Sequence, residues 1–161
     1  MSNVEYRHIT SDADLQLAFA VRHQVFVVEQ NCDPALDVDS LDRHEATDQF
    51  LAVDAITKEP LGTCRVYPSP YAEGAASLGR MACVPASRGR GVGKALCLLG
   101  HARLLERGFD RVVIQAQEDK EGFYNKIGYV RSSPEVFLDE GIPHIWMEAR
   151  LLPAVATTSS Q

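Results

Sequence analysis

Apolar and polar positions alternate loosely over residues 4–9, and the period then changes. The alternation predicts a first strand. Behind Ser11 and Asp12, which suit a helix N-cap, Leu15, Ala18, Phe19, Val25 and Phe26 follow helical spacing, so one helix is expected to run to about residue 30. Arg22 interrupts its apolar stripe. An arginine there snorkels from the core edge, lines a site or, most simply, pairs with a nearby carboxylate. Residues 31–48 carry Asp33, Asp37, Asp39, Asp42, Glu45 and Asp48 among few apolar side chains, and read as an irregular surface connection of the kind that borders binding sites. Strand-like runs at 49–55 and 61–67 flank a turn sequence ending in Pro60, as in a hairpin. A further strand is expected over 75–84.

The clearest helix spans 91–108, with Val92, Ala95, Leu96, Leu99, Ala102 and Leu105 on one stripe and Gly108 where a C-cap belongs. Val112, Val113 and Ile114 form a continuous apolar run, expected to be a strand buried on both faces. A short helix at 118–127 should stop at Gly128, and strands at 129–131 and 144–151 complete the sheet. The Ala, Thr and Ser-rich end reads as a flexible tail, which gives one domain over 1–152 and a tail at 153–161. The element order is that of an α+β fold, a mixed sheet with helices on its faces.

Composition changes this picture little. The chain has 161 residues, 45% hydrophobic and 24% charged, the balance of a folded domain able to build a core. A formal net charge of -6 argues against nucleic acid as the main partner. The first residues show no apolar run behind a basic start, and nothing approaches the roughly 20 apolar residues of a membrane span. A cytoplasmic location and no membrane contact are therefore expected. The four cysteines form no CxxC pair, and Cys83 and Cys97 lie in apolar contexts, so reduced thiols are expected and neither disulfide nor metal.

The sharpest chemical signal is the run Arg88-Gly89-Arg90-Gly91-Val92-Gly93-Lys94, which leaves a strand, turns on glycines and enters the long helix. Such a turn aims backbone N–H groups at one spot, where a pyrophosphate fits. Arg88, Arg90 and Lys94 add cationic donors. A P-loop is excluded, because Gly89 and Gly93 enclose too few residues and Ala95 stands where a magnesium-binding hydroxyl belongs. A dinucleotide fingerprint is excluded too, because no third glycine follows at the right interval.

The segment resembles the acetyl-CoA motif of the GNAT superfamily, Arg/Gln-x-x-Gly-x-Gly/Ala, through Arg88, Gly91 and Gly93. Gly79 to Pro85 looks like that family's fourth strand, Val112 to Gln117 like its fifth, and Phe123-Tyr124-Asn125-Lys126-Ile127-Gly128-Tyr129 like its "FYxKxGF" helix end. The runs beginning at Arg22 ("RxxVFVxEQ") and ending at His144 ("F-x-x-x-GIPH") resemble a small, uncharacterised subgroup.

The resemblance implies a GNAT fold, mostly antiparallel and splayed between its fourth and fifth strands. It also implies N-acetyl transfer from acetyl-CoA to a primary amine of a small molecule by direct transfer. The cosubstrate would contact Ala82, Cys83, Val84, the residues from Arg88 to Lys94, and Tyr124. Tyr124 would be the acid that protonates the leaving thiolate. Glu29, Glu118 and His144 remain alternative bases, and Arg22, Glu29 and Gln30 are substrate-side by analogy. An acetylated Cys83 intermediate is disfavoured, since no histidine adjoins it. A non-catalytic acetyl-CoA sensor of the same fold is the alternative function. A homodimer through the C-terminal strands would be usual for the family.

Overall fold

The computed structural model describes residues 3–153, so the tail expected at 153–161 lies, but for Pro153, outside the described residues. Seven strands form one sheet in the order β1-β2-β3-β4-β5-β7-β6. They are β1 (Val4–His8), β2 (Asp48–Asp54), β3 (Pro60–Pro68), β4 (Ala76–Cys83), β5 (Arg111–Gln117), β6 (Val130–Asp139) and β7 (Ile142–Arg150). Every neighbouring pair is antiparallel except β4 and β5. Those two run parallel and pair only at Ala76 with Val112 and Ser77 with Val113. Beyond that point they part and open a V, as the resemblance implies. A bulge in the β3–β4 ladder, with Arg80 in the left-handed region at φ 49°, lies where β4 turns away.

β2 is buried along almost its whole length and alternates its contacts between two faces. Leu51 and Val53 pack on Ala18 of α1 (Asp12–Arg22), whereas Phe50 and Ala52 join the larger cluster that holds α3 (Val92–Glu106). α3 lies close to the sheet because Gly100 leaves room: a Cβ there would come 2.9 Å from Val66.

Four expectations are corrected. The single helix of residues 11–30 ends at Arg22 and continues as a π-helical segment, His23–Glu29, in which the Gln30 N–H bonds back to the Val25 carbonyl at 3.1 Å. Helical apolar spacing cannot distinguish that widened turn from an α-turn. The connection at 31–48 is ordered by two capped turns, α2 (Pro34–Asp37) under Asp33 and a 3₁₀ turn (Ser40–Arg43) under a capping box of Asp39 and Asp42. β6, expected as three residues, has ten. It is an edge strand exposed along most of its length and carries Pro134, so no apolar alternation announces it. It turns into β7 through Glu140 and Gly141, both at positive φ, the two-residue hairpin geometry. The last helix is also shorter than expected, a 3₁₀ turn followed by α4 (Glu121–Asn125).

Candidate active site

At the opening of the V, β4 passes through a 3₁₀ turn (Pro85–Ser87) into the glycine run. Ser87 is buried and its hydroxyl bonds to the carbonyls of Leu61 and Val84, which pins the turn to β3. Gly89 and Gly91 both have φ 78°, which favours glycine, and a Cβ at either would meet nothing within 4 Å. The first α3 bond runs from the Ala95 N–H to the Gly91 carbonyl, so the N–H groups of Val92, Gly93 and Lys94 have no partner within the helix. Gly93 is needed for another reason: a Cβ would lie 3.2 Å from the Phe123 ring and 3.3 Å from the Met81 methyl. Ahead of this turn lies a cleft of about 870 Å³.

Ala82, Cys83, Arg88, Gly89, Gly91, Val92, Gly93, Lys94 and Tyr124 line that cleft. Val84 and Arg90 lie off its wall. Val84 is in the core, with its N–H committed to the Leu61 carbonyl at 2.9 Å. Arg88 points across the cleft: both terminal nitrogens lie 2.7 Å from the two carboxylate oxygens of Glu29, and Nε donates to the Cys83 carbonyl at 3.1 Å. Hydrogen bonding from Arg88 holds the Glu29 carboxyl below its usual range.

Tyr124 sits on α4 where the V opens, its ring edge-on to Phe123 at 5.0 Å and to Tyr129 at 5.6 Å. The Tyr129 hydroxyl is 2.7 Å from His101 Nε2 inside the core. Burial pushes the Tyr124 phenol well above its ordinary pKa, so it keeps its proton at neutral pH. Burial likewise raises the Cys83 thiol to about 11, leaving almost no thiolate.

On the far wall His144 stands opposite Gln117 of β5. Its Nδ1 is 2.7 Å from the Ile142 carbonyl, which can only accept, so a neutral ring carries its proton there and leaves Nε2 as an acceptor. Gln30 and Gln117 exchange amide hydrogen bonds of 3.3 and 2.9 Å across the cleft. Glu118 lies off the cleft wall, 3.8 Å from Arg131.

Arg22 is not a contact residue. It is fully buried, with Asp42 held in a two-pronged pair at 2.6 and 3.0 Å, the carboxylate partner its sequence position suggested. Sequence reasoning missed the network around that pair. Arg65 of β3 binds Asp39 at 2.6 and 2.8 Å and Asp42 at 2.9 Å, and Arg80 of β4 donates to the carbonyls of Leu36 and Asp37. Burial alone would raise Asp42, but its hydrogen bonds from Arg22 and the Asp39 backbone, with both guanidinium charges, hold it far below the usual carboxylate range. Arg65, Arg80, Asp37 and Asp39 line the cleft, together with Tyr71, whose ring rests edge-on against Trp146 at 4.9 Å. The available signal was an excess of acids in one loop facing arginines on two strands. Among the described residues, no three His, Cys, Asp or Glu side chains gather as metal ligands would.

Comparison with known proteins agrees with this geometry. The family model of the Acetyltransferase (GNAT) domain matches residues 22–151. The N-acetyltransferase YjcF of Bacillus subtilis, itself uncharacterised, is 30% identical over 137 residues, covering 85% of this chain and 93% of that protein. The crystal structure of Escherichia coli ElaA superposes with a TM-score of 0.78 at 28% identity, over 92% of this chain and 99% of that one. An acyl-CoA N-acyltransferase from Pseudomonas aeruginosa gives a TM-score of 0.78 at 29% identity with the same coverage. A strand pair that splays where a glycine turn feeds a helix, in a chain so matched, identifies an acyl-CoA-dependent acetyltransferase of the GNAT family.

Proposed function

We propose that this chain moves the acetyl group of acetyl-CoA to a primary amine of a small molecule, by direct transfer while both substrates are bound. The observation that carries the reading is one shared cleft. The amide groups of Val92, Gly93 and Lys94 at the α3 start, the buried Tyr124 phenol and the His144 imidazole all border it. The amides and Lys94 suit the diphosphate of the cosubstrate, and the open space ahead of Gly89 and Gly91 lets that group approach the backbone. The parted ends of β4 and β5, with Ala82 and Cys83 on the wall, suit its thioester arm.

The neutral amine attacks the thioester carbonyl, a C–N bond forms and the C–S bond breaks. His144 Nε2 takes the ammonium proton, directly or through one water, in keeping with the Nδ1–H bond to Ile142. Tyr124 gives its phenolic proton to the departing thiolate and recovers one from solvent. Glu29 is a weaker base while Arg88 holds it. The scarcity of Cys83 thiolate favours direct transfer over an acyl-cysteine.

The test is incubation with acetyl-CoA and a panel of amines, following free thiol and product mass. Thiol release that depends on an amine, with a matching acetylated product, is expected. Binding of coenzyme A without release for any amine would favour a sensor of the same fold.

A further inference from the structure

Arg88 immediately precedes the turn whose amides suit a diphosphate, yet its guanidinium faces an internal anion. Glu29 meets both of its terminal nitrogens at 2.7 Å, the two-pronged geometry a phosphate oxygen pair would use. The two residues belong to different halves of the cleft. Glu29 ends the π-helical segment, which lines the cleft through Val25, Phe26 and Glu29, and its neighbour Gln30 is bonded to Gln117 of β5. Arg88 belongs to the donor loop. Their side chains are 39% and 44% exposed, so packing locks neither of them. Arg88 keeps a second anchor, its Nε bond to the Cys83 carbonyl, about which the terminal nitrogens can exchange partners. Lys120 is a second cation whose charge acts on Glu29.

We propose that Glu29 occupies the place of the cosubstrate diphosphate on Arg88, so that acetyl-CoA binding displaces it and releases its carboxylate into the acceptor half of the cleft. The inference rests on the acetyltransferase reading above and adds to it that the donor's arrival changes the charge that the acceptor amine meets. Glu29 acts on the donor through Arg88 and is in that respect a positioning residue. A merely structural ion pair would do the opposite, because breaking it would loosen the donor loop and weaken binding.

The sign of the effect therefore decides. Coenzyme A affinity is measured by calorimetry at one fixed salt concentration for the wild type, Glu29→Gln, Arg88→Gln and the double variant, with circular dichroism checking that each is folded. An exposed ion pair of this kind changes an equilibrium by about two- to fivefold. Glu29→Gln should therefore tighten coenzyme A by that factor, Arg88→Gln should weaken it, and Glu29→Gln should add nothing once Arg88 is gone. Acetyl-pantetheine, which lacks the diphosphate, should bind the wild type and Glu29→Gln equally. Unchanged or weaker coenzyme A binding by Glu29→Gln overturns the proposal. So does tightening that persists without Arg88, which would be plain charge repulsion. Wild-type protein that ignored coenzyme A would remove the acetyltransferase reading itself, and this inference with it.

Discussion

Two buried aromatic hydroxyls and one buried imidazole sit within a few ångströms behind the cleft, and their differing surroundings give them different tasks. Tyr124 borders the cleft, and its burial keeps the phenol protonated. Tyr124→Phe removes only the hydroxyl, leaving the ring against Phe123 and Tyr129. Turnover should fall by about 10²- to 10⁴-fold, the usual worth of a general acid, with coenzyme A affinity unchanged by calorimetry. His101 instead holds Tyr129 from within the core, and burial lowers its pKa to about 4. In the unfolded chain its pKa is about 6.5, so between those values the unfolded state binds the extra proton and stability must rise with pH. Above pH 6.5 the imidazole is neutral in both states and costs nothing. As pH falls towards 4, about 3 kcal/mol of stability should be lost through this group. Urea unfolding at several pH values should show His101→Gln losing that part of the slope; equal slopes in both proteins would exclude it. Of these residues the two tyrosines were legible in the sequence, because both lie inside one motif, and only Tyr124 carried a role there. His101 lies inside a helix of high apolar content, and nothing in the spacing signals that it meets a tyrosine 28 positions on.

At the scale of elements, the segment 34–43 is the one on which sequence reasoning and structure differ most. Its aspartates read as a solvated surface, but Asp42 is wholly buried between Arg22 and Arg65, and Asp39 joins Arg65 to the 3₁₀ turn it caps. The contacts span 15 to 44 positions in sequence, so no local pattern contains them. The glycine turn, the presence of α3 and the β2–β3 hairpin were legible because each is written in adjacent residues. The stripe expected on α3 was not, since the helix buries Val92, Leu96, Cys97, Gly100, His101 and Leu104 and leaves Leu99 and Ala102 exposed, its core face being set by the sheet it meets. The π-helical segment and β6 were not legible either, the first because its apolar spacing mimics an α-helix, the second because an exposed edge strand has no core to alternate against. Asp42 is the carboxylate that both guanidiniums share, and losing its charge leaves fully buried Arg22 with only the 3.3 Å pair to Asp37, while Arg65 keeps Asp39. Asp42→Asn should therefore destabilise the protein by about 3–5 kcal/mol, the cost of stranding a buried charge. Proteolysis should cut within 34–43 earlier than in the wild type. A loss under 1 kcal/mol would mean that the segment is held by its caps alone.

At the scale of the whole molecule, the cleft has no single owner. Its walls come from β3, β4, β5, α4, the start of α3, the 23–43 segment and the β6–β7 turn, where Glu140 accepts from the Asp33 N–H at 2.8 Å and ties that turn to the segment. The two arms of the V are tied to each other directly only at Ala76–Val112 and Ser77–Val113, so a ligand in the opening joins parts of the sheet that otherwise meet at one end. Coenzyme A should consequently stabilise the fold as a unit. At a hundred times its dissociation constant the gain is about 2.7 kcal/mol, which for a chain of this size corresponds to roughly 5–10 °C in the melting temperature. ATP, which cannot fill the thioester arm of the cleft, should give far less at the same concentration. Gly91→Glu separates ligand from fold. Its Cβ would meet open space, but at φ 78° a non-glycine residue costs about 1–2 kcal/mol, and the new carboxylate would oppose an incoming diphosphate. The variant should melt a few degrees lower than the wild type and show no shift with coenzyme A. A retained shift would mean that the anion is held elsewhere than at the opening of α3.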